Sequence, residues 1–250
     1  MRYYKPLQMS CFSPPVMLAT FMIEIGLALY VGWRYTLDAV SKLSIAILFF
    51  LAVFQLAEYN ICEGSFGVDS LSWARIGYVA ITLLPPLGFH LASRIAGRRN
   101  CTMLMAAYGS AALFAGFFAL TGHGISSSAC LGNYVIFQSA PMAIGWYAFY
   151  YYGWLLLGTL YCLSHAKKAS APHISRALRG LAAGYLVFIV PTTAVNIVDP
   201  ATIKGIPSIM CGFAVLLAVA LVGVVLPEYY RQRQLATRTS SQKTSQTQGA

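Results

Sequence analysis

The stretch Ser70–Asn100, SLSWARIGYVAITLLPPLGFHLASRIAGRRN, limits what this chain can fold into more than any other. It is apolar over a length that crosses a bilayer. Arg75 lies near one end, Arg94, Arg98 and Arg99 lie at the other, and Pro85-Pro86 interrupts the middle. Two consecutive prolines remove two backbone donors and kink a helix at that depth. In hydrocarbon the freed carbonyls need partners, so the segment belongs inside a bundle rather than against acyl chains.

Composition agrees with a membrane chain. Of the 250 residues, 58% are hydrophobic and 10% charged, whereas soluble domains carry about 25% charged residues. Mean hydropathy is +0.65. Strand alternation is absent, which argues against an outer-membrane barrel. The net charge of +10 does not imply nucleic acid, because the basic residues sit in short loops beside apolar runs, where they set topology. Among the six cysteines there is no CxxC pair and no Cys/His metal spacing. Cys101, Cys162 and Cys211 read as small hydrophobes in or beside apolar runs.

After a lead to Pro14, seven apolar runs follow: Pro15–Trp33, Lys42–Cys62, Leu71–Ala96, Thr102–Gly122, Pro141–Leu163, Ala177–Val198 and Pro207–Leu226. The first is too long for a signal peptide and no small-x-small cleavage site follows it. With seven spans, one side holds Arg34, Lys42, Arg94, Arg98, Arg99, Lys167, Lys168, Arg176, Arg179 and the tail basics Arg231, Arg233, Arg238 and Lys243. The other holds only Arg2, Lys5, Arg75 and Lys204. The expected fold class is therefore an all-α integral membrane protein of a cell membrane, a seven-transmembrane-helix bundle with its N-terminus outside and its C-terminus cytoplasmic. Residues 1–14 form a short outer lead, 15–228 the membrane domain, and 229–250 a basic cytoplasmic tail of disordered composition.

Charged groups inside spans are costly and are functional candidates by default. Glu24 lies mid-membrane in the first run, without an obvious partner at its depth. It is protonated, bonds Asn196 or a tyrosine, or lines a pocket. Glu58 and Arg75 lie at similar depth on neighbouring runs, which makes an ion pair plausible, either as a structural bridge or as part of a ligand site. Asn196 lies near the outer end of the sixth run, before Asp199-Pro200. Read functionally, it joins Glu58 and Arg75 in a mostly apolar pocket with a few convergent polar groups. Tyr59 beside Glu58 and Tyr78 one turn past Arg75 complete the candidate ligand residues. Cys62 and Cys130 face the same outer compartment, where they can oxidise to a disulfide. His90, His123, His165 and His173 are too scattered for a metal site, and His165 and His173 fall in a basic, solvated loop. The tyrosines Tyr147, Tyr150, Tyr151 and Tyr152 surround one helix and read mainly as packing and interfacial anchors.

No GxSxG, HExxH, phosphate-binding loop or paired aspartates occur, so the chain is not expected to be an enzyme or to hold a cofactor. The seventh run contains no lysine for a retinal Schiff base.

The order FQLAEYNICEG, SLSWARIGYVAITLLPPLGFHLA, GRRN, CLGNYVIF, RALRGLAAGYLVFIVPTTAVNIV and GIPSI resembles the seven-transmembrane N-terminal sensor region of bacterial and archaeal histidine kinases. The shared features are an acid near the end of the second helix, a W-x-R-x-x-Y start to the third and a proline within it. The likeness covers residues 12 to 228. It implies a membrane sensor that binds a small or lipidic ligand. The chain departs from the family beyond the seventh run: no phosphoacceptor histidine box and no ATP-binding glycine boxes are present. The expectation is a sensor that acts through a separate cytoplasmic or membrane signalling protein, with the lipid bilayer as its other partner and no nucleic acid. The alternative is a small transporter or channel that uses Glu24 and the proline-broken helices.

Overall fold

A computed structural model describes residues 13–98, 100–121, 124–130, 135–138, 141–198 and 206–231. The helices are α1 Pro14–Arg34, α2 Ala39–Glu63, α3 Ser70–Thr82, α4 Leu84–Ile95, α5 Cys101–Leu120, α6 Pro141–Lys168, α7 Pro172–Val198 and α8 Ile206–Ala220. A wider π turn, Leu221–Val225, carries α8 on as far as Arg231. Two short antiparallel strands, β1 Ser127–Cys130 and β2 Val135–Gln138, form a hairpin between α5 and α6. Six helical stretches are long and apolar enough to cross a membrane: Pro14–Arg34, Ala39–Glu63, Ser70–Ile95, Cys101–Leu120, Pro172–Val198 and Ile206–Arg231. The seventh long helix, α6, has 28 residues, but its tyrosines and glycines make it less apolar than those six. Residues 1–12, Asp199, Pro200, Lys204 and the tail beyond Arg231 lie outside the described residues.

The double proline divides the expected third span in two. α3 ends at Thr82, Leu83 is a single turn residue, and α4 begins at Leu84 with the prolines in its first turn. Proline is tolerated there because those N–H groups would have no helical partner anyway. Pro86 still leaves the carbonyl of Thr82, four residues earlier, without its helical donor. The Tyr150 hydroxyl donates to it at 2.6 Å, from α6. Tyr147, one turn earlier, meets the Thr82 hydroxyl at 3.1 Å. The tyrosine cluster thus supplies the partners that a broken helix needs in an apolar interior. Replacing Tyr150 by phenylalanine strips that carbonyl of its donor and is expected to cost about 1–3 kcal/mol, read as a lower melting temperature of the solubilised protein.

α3 lies tight against α2 because Gly77 has no side chain: a Cβ there would meet Ala57 and Phe54, each at 3.2 Å. α7 and α8 approach in the same way at Gly180 and Gly184, where a Cβ would meet Val224 and Leu217, each at 2.8 Å. This small-xxx-small spacing lets two apolar helices pack closely without a hydrophobic drive between them.

One end of the bundle collects Arg34, Lys42, Arg94, Arg98, Lys167, Lys168, Arg176 and Arg231. His165 and His173 lie here too, but on helices rather than in a loop, because α6 runs to Lys168 and α7 begins at Pro172. His173 is buried, not solvated. Glu228, near the end of α8, pairs with Arg176 at 2.9 Å. The Tyr230 hydroxyl donates to the Asp38 carboxylate, which also caps α2 through the Val40 and Ser41 amides. The last helix is thereby tied to both α7 and the α1–α2 turn.

Candidate functional site

At the opposite end, Gly64 terminates α2 in the left-handed conformation, with φ +66°. The chain turns back there, leaving Cys62 beneath the hairpin. Cys62 and Cys130 are joined by a disulfide. The hairpin therefore closes over the bundle as a cap. Val135 is fully buried and Phe137 is 2% exposed. The Phe137 ring packs between Tyr78, 4.9 Å away, and Phe54, 6.2 Å away. Ser128 on β1 bonds the hydroxyl of Ser70 at 2.7 Å, at the start of α3.

Below this cap lie the two membrane carboxyls. On α1 the residues Met17, Thr20, Glu24, Ala28 and Val31 are buried, spaced three and four apart so that they form one helical face. That spacing aims Glu24 at the bundle interior rather than at lipid. On α2 the turns Leu51, Gln55 and Glu58 point inward in the same way. Glu24 is 0% exposed and Glu58 1%. The two carboxyls are near enough for their charges to interact. Neither oxygen of Glu24 has a hydrogen-bond partner, and Oε1 of Glu58 has none either. Thr20, one turn before Glu24, donates instead to its own helix at the Val16 carbonyl, 2.9 Å away.

Ser208, in the first turn of α8, completes the group. It is 1% exposed and makes a side-chain hydrogen bond to Glu58. Its oxygen also accepts the backbone N–H of Val135 in the hairpin at 3.2 Å. Hydrogen bonds therefore run from the cap through Ser208 to Glu58, and the Glu58 charge acts on Glu24. Tyr78 stands at the edge of this group, close enough to feel the Glu58 charge. Sequence reasoning missed Ser208. The available signal was its place as the single hydroxyl residue in the apolar run 206–226.

The structure separates the other candidates. The expected Glu58–Arg75 ion pair is absent; among the described residues the ion pairs join Arg176 and Arg231 to Glu228. The reason is rotation about α3: Ala74, Gly77, Tyr78 and Ile81 form its buried face, and Arg75 stands about 100° round from Ala74. Arg75 is half-buried, with its Nε unpartnered. Tyr78, not Arg75, is on the buried face of α3 and is close enough to feel the Glu58 charge. Asn196 turns its amide back to the Thr192 carbonyl of its own helix, at 3.0 Å. Tyr59 is half-buried on the flank of α2. Glu24 has no hydrogen-bond partner for either oxygen, and the charged group that acts on it is another acid, Glu58.

Deeper in the bundle, Pro85 and Pro86 are buried. A closed cavity of about 20 Å³ lies near Gly88, Tyr151, Tyr185 and Leu217, room for one water at most. His90 is held between Tyr108, at 3.1 Å, and Arg94, at 3.2 Å. No group of three or more metal-ligating side chains occurs among the described residues. Chemically, the two enclosed carboxyls keep three oxygens without hydrogen-bond partners, and among the described residues no cation pairs with them. No protein-family model and no curated protein matches the chain.

Proposed function

We propose that the chain is a receptor-like sensor of a cell membrane that takes a small cationic ligand between Glu24 and Glu58. In this reading α6 is a seventh span, the hairpin end faces outside and the basic end faces the cytoplasm, in keeping with the positive-inside bias. The observation that carries it is the pair of enclosed carboxyls with unpartnered oxygens, because an acid without a partner in an apolar interior is retained at a cost in stability. α8 is the element suited to relay occupancy. Its first turn holds Glu58 through Ser208, and its last turn is latched to Asp38 and Arg176. A signalling protein docked at the basic end would read the position of that latch. The likeness to the histidine-kinase sensor region supports the same role.

The test is a thermal titration of the solubilised chain with sodium, potassium and small alkylammonium salts against a matched choline control. A specific cation at a hundred times its Kd stabilises the folded state by about 2.7 kcal/mol. The wild type and Arg75→Gln are expected to show the saturable shift, and Glu58→Gln to lose it. Equal shifts in all three proteins, or none in the wild type, would remove the reading.

A second reading, a small transporter or channel, is favoured by the break at Leu83 and the π turn at Leu221–Val225, irregularities of the kind that line transport paths. It requires cation uptake into proteoliposomes that disappears in Glu24→Gln.

A further inference from the structure

The membrane-facing seam between α1 and α2 contains a groove of about 570 Å³, separate from the carboxyl pair. It exists because the residues on its floor are small. Ala28 and Gly32 on α1 face Ala46 on α2, and a Cβ at Gly32 would find only the tip of Ile45, at 3.8 Å. Leu29 and Phe49 stand up as its walls, and both are exposed. One charged side chain, Lys42, lines it, at the basic end. Trp33, 85% exposed at the end of α1, marks the same level as the interfacial zone, where amphipathic aromatic rings settle.

Among the described residues Lys42 makes no ion pair. Asp38, one turn away on α2, is occupied by the Val40 and Ser41 amides and by the Tyr230 hydroxyl. Among the described residues no carboxylate pairs with Lys42 or with Arg34, which closes α1 at the same level. An apolar trough that ends in an ammonium without an ion pair at headgroup depth matches a molecule with a hydrocarbon chain and an anionic head.

We propose that this groove is a binding site for an anionic phospholipid, with one acyl chain along Ala28, Gly32 and Ala46 and the phosphate on Lys42. Surface attraction by the other basic residues does not substitute for it, because only Lys42 is joined to the trough. The lipid covers the outside of the α1–α2 seam whose inner side carries Glu24.

The test uses the full chain in vesicles of phosphatidylcholine doped with phosphatidylglycerol, extracted gently and weighed by native mass spectrometry. The wild type and Lys168→Ala are expected to keep a phosphatidylglycerol adduct. Lys42→Ala should hold it about fivefold more weakly, the effect of one basic residue near an anionic surface. Lys42→Arg should restore it. Gly32→Leu, which fills the trough, should release phosphatidylglycerol and any residual phosphatidylcholine alike. The proposal is overturned if Lys42→Ala and Lys168→Ala weaken the adduct equally, since the attraction would then be diffuse. It is also overturned if Gly32→Leu leaves the adduct intact, or if the wild type is a dimer that Gly32→Leu dissociates, since a second copy of the chain would then fill the groove.

Discussion

Glu24→Leu is expected to raise the melting temperature of the solubilised protein while it abolishes stabilisation by cations. Glu24 is fully enclosed and both of its carboxyl oxygens are without partners, so folding removes a strongly hydrated group from water and returns nothing to it. Leucine has similar volume and no such cost. Relieving an unsatisfied buried group is worth about 1–3 kcal/mol, which for a chain of this size is an increase on the order of 5 °C. A stabilising mutation that destroys the response is the signature of a residue retained for function, since a structural acid would destabilise on removal. Calorimetry in the presence and absence of the effective cation measures both quantities. A melting temperature lowered by several degrees would mean that Glu24 holds the helices together, and the proposed site would be lost with it.

The paired substitution Cys62→Ser and Cys130→Ser is expected to lower stability by about 2–4 kcal/mol and to weaken the cation response. The bridge closes a loop with a sequence separation of 68, and a cross-link of that span removes much freedom from the unfolded chain. Its second effect is local. The hairpin holds Ser208 through the Val135 amide, and Ser208 holds Glu58. A freed cap no longer fixes the hydroxyl that orients the carboxyl. Cys101→Ser, at an exposed free cysteine, is the control and should change neither quantity. Thermal titration of the three proteins tests this. If the double mutant binds the cation as the wild type does, the cap has no part in the site.

The candidate site was partly legible in the sequence. The apolar context of Glu24 and Glu58 marked both as exceptional, and their helical periodicity is enough to turn them inward. Cys62 and Cys130 share one end of the bundle, which followed from the order of the spans. The Glu58–Arg75 pairing did not hold, because similar depth on adjacent helices says nothing about rotation. One residue step turns a side chain through about 100°, and the close packing of Gly77 on Phe54 and Ala57 selected Tyr78 for the inner face and left Arg75 at its flank. For Asn196 the sequence did not show the local alternative: a short amide in an apolar helix can donate to the carbonyl one turn back, here at Thr192.

What the sequence determined by itself is whatever depends on local stretches: the membrane-type apolar helices and their order, the break at Pro85-Pro86 and the basic character of one end. These follow because transfer of a helix into hydrocarbon is summed residue by residue along the segment. The tertiary structure decided which groups meet. It placed Tyr150 on the carbonyl freed by Pro86, packed Phe137 against Tyr78, and brought Ser208 from the last helix to Glu58 on the second. Those contacts join residues 59 to 150 positions apart, and they depend on helix rotation and close approach at glycines, which only the simultaneous packing of all the helices sets.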